Sequence, residues 1–183
     1  MDSVNDRDLA RGFRAGDAAM FEVLVRRYEA PLYRFFRRHS VSPFAADDLF
    51  QETFLRVYQG IGTYDDSREF RPWIYTVAMN CLRRRAARRP PPLSLDDPPG
   101  GGPAARDPGP AEAAQAGELA ERVRTEVQSL PEGPRDVFLL YQYQGLSYSE
   151  IAEALGRPLG TVKSQMHAAI ERLRAAFGAY RTA

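Results

Sequence analysis

The apolar positions of this chain recur at helical spacing, and a two-residue alternation is nowhere sustained. From Asp17 onward they fall at Phe21, Leu24, Val25, Tyr28, Leu32, Phe35 and Phe36, the spacing of one helix face. Asp17 suits the N-cap of that helix, and Pro31 inside it predicts a kink or a break. Ser42-Pro43 reads as the next start, with Ser as cap and Pro at the first helical position. The stripe of that helix is Phe50, Phe54, Val57 and Ile61, and Gly60 and Gly62 mark its stop. After a polar loop from Thr63 to Glu69, a third helix carries Phe70, Trp73, Ile74, Val77, Ala78 and Cys81 on one face and runs out into the basic stretch Arg83 to Arg89.

Residues 90–117 interrupt the pattern. They hold eight of the 14 prolines, including the run Pro90-Pro91-Pro92. Proline and glycine at this density oppose helix and strand, and little apolar surface is available to offset the entropy of ordering. A disordered, mildly acidic linker is expected. Beyond it, Leu119, Val123, Val127 and Leu130 predict a helix ending at Pro131. Pro134 opens another, with Val137, Phe138 and Tyr141 inward and Leu140 a further candidate. Ser147 and Glu150 form an S-x-x-E capping box ahead of Ile151, Ala152 and Leu155, and Gly156 stops that helix. A last helix opens near Leu159 or Gly160 and buries Val162, Met166, Ile170 and Leu173. The expected fold is all-α: two small helical domains, residues 1–89 and 118–183, joined by the Pro/Gly-rich linker 90–117.

Composition excludes more than it assigns. Hydrophobic residues make up 44% and charged residues 27%, as in ordinary soluble proteins. No apolar run approaches the roughly 20 residues that cross a bilayer. The opening Met1 to Asp6 is acidic and polar, unlike a secretory signal. We expect a cytoplasmic protein with no membrane contact of its own. A single cysteine, Cys81, rules out an internal disulfide, and the two histidines, His39 and His167, are far apart. The clustered ligands of a zinc site, a phosphate loop, a nucleophile elbow and an H-E-x-x-H pair are all absent from the sequence. No cofactor, metal or catalytic residue is therefore expected. The net charge of +1 is sorted along the chain: +4 over residues 1–89, −3 over 90–117, and zero over 118–183.

The strongest local signal is residues 146–174. A short capped helix, a turn through Arg157-Pro158 and a second helix opening with Gly160-Thr161-Val162-Lys163-Ser164-Gln165 make a helix-turn-helix. With Val162, Met166 and Ile170 in the core, Thr161, Lys163, Ser164 and His167 face outward, and Arg157 stands at the turn. In this motif the second helix lies in the major groove with its N-terminal residues on base edges. Lys163, the only lysine, can bond guanine O6 and N7 there or remain a solvated surface charge. A helical hairpin that packs on protein gives the same pattern, so a self-sufficient DNA-binding regulator and a protein-binding scaffold stay open at this point.

Gly145-Leu146-Ser147-Tyr148-Ser149-Glu150-Ile151-Ala152 and Gly160-Thr161-Val162-Lys163-Ser164 resemble the C-terminal DNA-binding domain of extracytoplasmic-function (ECF) sigma factors of the sigma-70 family. Asp47-Asp48-Leu49-Phe50-Gln51-Glu52-Thr53-Phe54-Leu55 and Phe70-Arg71-Pro72-Trp73-Ile74-Tyr75 resemble their polymerase-binding, −10-reading domain. The resemblance implies a promoter-selecting subunit of RNA polymerase, with core polymerase, double- and single-stranded promoter DNA and an anti-sigma factor as partners. It places Asp48, Gln51, Glu52 and Leu55 on the clamp coiled coil of the largest polymerase subunit. Tyr64, Arg68, Asn80, Arg83, Arg84 and Arg88 become candidates for the −10 element, where unstacked bases need aromatic, amide and guanidinium partners. Trp73 suits either the core or base stacking. Arg157, Thr161, Lys163, Ser164 and His167 become candidates for the −35 element. Gln165 and Ala168 stand where relatives often carry arginine, and Tyr141 where they are often basic, so the preferred −35 sequence does not carry over.

Overall fold

The computed structural model describes residues 4–39, 41–88 and 110–178, with side chains of the last segment from residue 119 onward. Every regular element among the described residues is helical: α1 (Asp6–Arg14), α2 (Ala18–Arg38), α3 (Pro43–Gly60), α4 (Phe70–Arg88), α5 (Pro110–Ser129), α6 (Glu132–Gln144), α7 (Tyr148–Leu155) and α8 (Leu159–Gly178), with a 3-10 turn at Ile61–Thr63. In the first half, α1 and α3 pack on α2, and α4 packs on α3 and α1. In the second, α5, α6 and α7 pack on α8. The expected linker lies outside the described residues as far as 109. α5 begins at Pro110, inside the stretch read as linker, because proline suits a first helical position and the Ala-Glu-Ala-Ala-Gln-Ala that follows is made of strong helix formers.

Local capping sets the helix starts. The Asp17 carboxylate accepts from the Ala19 N–H and the Ser42 hydroxyl from the Ala45 N–H. Ser147 and Glu150 form the full reciprocal box at the start of α7. Gly145 and Gly156 end α6 and α7 with φ of 63° and 62°, a left-handed conformation that glycine adopts without a Cβ clash.

Three expectations are corrected and one helix is added. Pro31 does not break α2, which continues to Arg38. An internal proline costs about 3 kcal/mol. Leu32, Phe35 and Phe36 just beyond it are each 0% exposed, and burying such side chains is worth about 1.5–3 kcal/mol apiece, so burial wins. Tyr141 is exposed rather than inward, while Leu139 and Leu140 take the inward places on α6. α6 starts at Glu132, two residues ahead of Pro134, because the first turn of a helix needs no N–H from that position. Finally, α1 is a helix that the apolar pattern did not announce. Asn5 caps it, Leu9 and Ala10 bury its inner face, and Arg11 and Arg14 reach Asp66 at 3.2 and 2.5 Å.

The two halves are in contact. α4 packs against α7 and α2 against α6, and one apolar core runs from Leu9, Phe35 and Tyr75 to Leu140, Ile151 and Val162. α4 is therefore buried on two sides: Phe70, Ile74, Ala78 and Cys81 on the expected stripe, and Tyr75 and Met79 beyond it.

Candidate protein- and nucleic-acid-binding surfaces

α3 presents an outward stripe opposite the buried Leu49, Thr53, Phe54 and Val57. Phe44, Asp48, Gln51, Leu55 and Tyr58 follow one another at steps of three and four residues, so they share one face. Phe44 is 84% exposed, Leu55 57% and Tyr58 58%, an unusual density of large apolar side chains in solvent. Asp48 and Gln51 are exposed between them, with Arg85 3.6 Å from Asp48. Glu52 is half-buried at the edge of the stripe and accepts from Arg56 at 3.0 and 2.7 Å. Phe44 and Tyr58 were missed in the sequence because only one stripe per helix was counted; a second apolar repeat at positions 44, 55 and 58 was there to be read.

The structure gathers most of the residues expected at the −10 surface along α4 and its leading loop. Asn80, Arg84 and Arg88 are exposed on the second half of α4, and Arg83 is half-buried. Arg68 is exposed in the loop. Tyr64 is not at the surface. It is 3% exposed, its ring packs on Phe70 and Trp73, and its hydroxyl donates to the Arg68 carbonyl at 2.6 Å. Burial pushes its phenol up to about 12, so it is a neutral donor at ordinary pH. Arg14 donates to the Tyr64 carbonyl at 3.2 Å, so α1 and Tyr64 together shape this loop. Trp73 is half-buried, packed on Phe70 and Tyr64 with part of its ring open to solvent.

In the second half, Lys163, Ser164 and His167 are exposed along the start of α8, and Thr161 is half-buried. Arg157 turns inward: it donates to Gln165 Oε1 at 3.0 Å and lies 3.5 Å from the buried carboxylate of Asp136. Gly133 makes room for this pair, since a Cβ there would meet the Gln165 amide at 2.6 Å. Gln165 therefore has a structural partner, and the outward cations of this helix face are fewer than the sequence suggested. Among the described residues no three His, Cys, Asp or Glu converge as metal ligands, and no helix is long and apolar enough to cross a membrane.

Comparison with known proteins places both halves. The family model for sigma-70 region 2 matches residues 24–90, and that for sigma-70 region 4 matches residues 120–173. The chain is 29% identical over 176 residues to the RNA polymerase sigma-H factor of Pseudomonas aeruginosa, covering 92% of this chain and 91% of that one. It is 31% identical over 169 residues to the ECF RNA polymerase sigma factor SigW of Bacillus subtilis, covering 88% and 90%. The solved structure of CnrH in complex with the cytosolic domain of CnrY superposes with a TM-score of 0.72 at 26% identity, covering 95% of this chain and 97% of that one. The sigma factor RpoE in complex with the anti-sigma factor NepR, from Bartonella quintana, shares the fold with a TM-score of 0.64 at 19% identity, covering 86% and 96%.

Proposed function

We infer how the surfaces divide the work from one premise: the chain belongs to the sigma-70 family, as an ECF RNA polymerase sigma factor, and is not an enzyme. Residues 1–89 act as the region 2 domain and residues 118–183 as the region 4 domain, with 90–117 between them. The α3 stripe docks on the clamp helices of the largest polymerase subunit. The observation that carries this assignment is the row of solvent-exposed Phe44, Leu55 and Tyr58, interleaved with Asp48 and Gln51, on a helix whose other side is sealed in the core. An interface core of aromatic and aliphatic anchors with polar neighbours is what stable association uses.

On the DNA side, Asn80, Arg84 and Arg88 engage the −10 element directly, Arg68 and Arg83 join them, and Tyr64 shapes the loop that presents Arg68. Trp73 offers its open edge to an unstacked base while the rest of its ring stays in the aromatic cluster. Lys163, Ser164, His167 and Thr161 engage the −35 element through the major groove, and Arg157, held by Gln165 and Asp136, braces the turn that presents them. An anti-sigma factor is a further partner in this reading, supported by the fold shared with RpoE, whose structure holds one.

Run-off transcription with purified core polymerase over a genomic promoter library tests the assignment. The chain is expected to make core initiate at a defined promoter set carrying paired −10 and −35 motifs. Transcription that is no different with and without the chain would refute it.

A further inference from the structure

The second helix of a helix-turn-helix reads bases with side chains from its N-terminal turns. A glutamine there is an ordinary reader of adenine: its amide oxygen accepts from N6, its amide nitrogen donates to N7, and the pair needs both atoms. α8 carries one glutamine, Gln165, close behind the exposed Lys163 and Ser164. Both of its amide atoms are turned toward α6 and the turn before α8. Oε1 accepts from Arg157 Nη1 at 3.0 Å. Nε2 lies against the backbone of Gly133, where a Cβ would stand 2.6 Å from it and 3.2 Å from Cδ.

Arg157 is itself tethered. Its Nη2 lies 3.5 Å from Oδ2 of Asp136, a carboxylate whose side chain is 2% exposed. One planar guanidinium thus spans α6 and α8 with a donor toward each, an arrangement that a point charge does not reproduce. Gly133 completes the slot. It stands in the first turn of α6 without the positive φ of Gly145 and Gly156, so its backbone does not require glycine. In an ordinary helical turn glycine is less favourable than alanine. What its missing side chain supplies is room for the Gln165 amide.

We propose that Gly133, Arg157 and Asp136 withhold Gln165 from the major groove, so that this chain reads its −35 element without the one amide on α8 suited to adenine. This rests on the sigma-factor reading. The slot is a specificity determinant that touches no base. Leaving it is unfavourable for the native side chain. A hydrogen bond from a guanidinium is roughly twice as strong as one between neutral groups. Two neutral bonds to adenine therefore only replace the bond to Arg157, and the vacated slot loses its packing. Arg157 does not follow Gln165 outward, because Asp136 holds it. A methyl group at position 133 reverses the preference. It overlaps Nε2, and the amide at the end of a flexible side chain is the part that gives way. Thr161 and Ala168, the helical neighbours of Gln165 on either side, are small, so the displaced amide finds open helix surface toward the groove.

The test is a promoter panel with all four bases at each −35 position and a fixed −10 element, transcribed by holoenzyme assembled with the full-length chain. Gln165→Ala is expected to leave every −35 base preference within about twofold of wild type, against the roughly tenfold that a lost bidentate pair would cost. Gly133→Ala is expected to gain about tenfold for adenine at one position. The double variant, Gly133→Ala with Gln165→Ala, is expected to lose that gain, which assigns it to the amide rather than to a shifted helix. A change of about tenfold in any base preference with Gln165→Ala alone would overturn the proposal, because the native amide then reads DNA. So would unaltered preferences in Gly133→Ala, or a gain that persists in the double variant. Should circular dichroism show Gly133→Ala unfolded, Gln165→Ala decides alone, since it adds no atoms to the slot. Wild-type holoenzyme that transcribes no more than core polymerase, a result obtained before any variant is compared, overturns the sigma-factor reading and this inference with it.

Discussion

Removing Phe44 and Leu55 together tests whether the α3 stripe is an interface. In the free chain these side chains are 84% and 57% exposed, so truncation to alanine removes little that folding has buried. Stability is expected to change by no more than about 0.5 kcal/mol. In the complex the same side chains become covered. Full burial of a Phe or Leu is worth about 1.5–3 kcal/mol, and scaling by what remains exposed leaves about 2 kcal/mol for Phe44 and about 1 kcal/mol for Leu55. The double variant should lose about 3 kcal/mol of affinity for core polymerase, roughly 100-fold in Kd. Phe54→Ala supplies the opposite case from the same helix. Phe54 is 7% exposed and packs on Phe50 and Phe21 at ring distances of 5.0 and 5.9 Å, so its truncation should cost about 3–5 kcal/mol of folding stability. Anisotropy titration of labelled protein with core polymerase, alongside thermal melts by circular dichroism, separates the two outcomes. An unchanged Kd for Phe44→Ala with Leu55→Ala, in a protein that melts normally, would sink the docking assignment.

Lys163→Ala should weaken promoter use by about 1–3 kcal/mol and relax preference at one −35 position, with polymerase binding intact; an unaltered preference across a panel of −35 variants would leave Lys163 a surface charge. Alkaline pH should also unfold the chain through its buried phenols. Burial raises Tyr28, whose hydroxyl donates to Asp6 at 2.5 Å, and raises Tyr75, while Tyr64 is pushed up to about 12. Each is higher than its ordinary value of 10.0, so the unfolded chain gives up these protons first. Their contribution is complete below pH 10 and is lost as pH climbs through the folded values. Melts and tyrosinate absorbance followed together should show ionisation of these residues only with unfolding; a smooth titration that precedes unfolding would contradict the burial.

What could be read from residues alone was whatever a few neighbours decide. Asp17, Ser42 and the Ser147–Glu150 box announce their helices because a side-chain oxygen within three residues satisfies an otherwise orphaned N–H. Gly145 and Gly156 mark ends because a single backbone conformation needs glycine there. The helix-turn-helix and the resemblance to sigma factors follow from motifs of the same short range. Tertiary structure decided the remainder. Pro31 stays helical because the core beyond it outweighs a local penalty, and α1 exists because Leu9 and Ala10 find a partner helix and Asp66 receives its arginines. Tyr64, a plausible base-stacking residue by type, is withdrawn into the aromatic cluster that holds its loop. Periodicity assigns one buried face per helix, so it could not anticipate that Tyr75 and Met79 of α4 are buried as well, Tyr75 packing on Phe35 of α2 and donating to Gln144 of α6. The pairing of Arg68 with Glu153, 85 residues away, and of Arg83 with Asp136 was equally hidden, because each joins groups from the two halves of the chain.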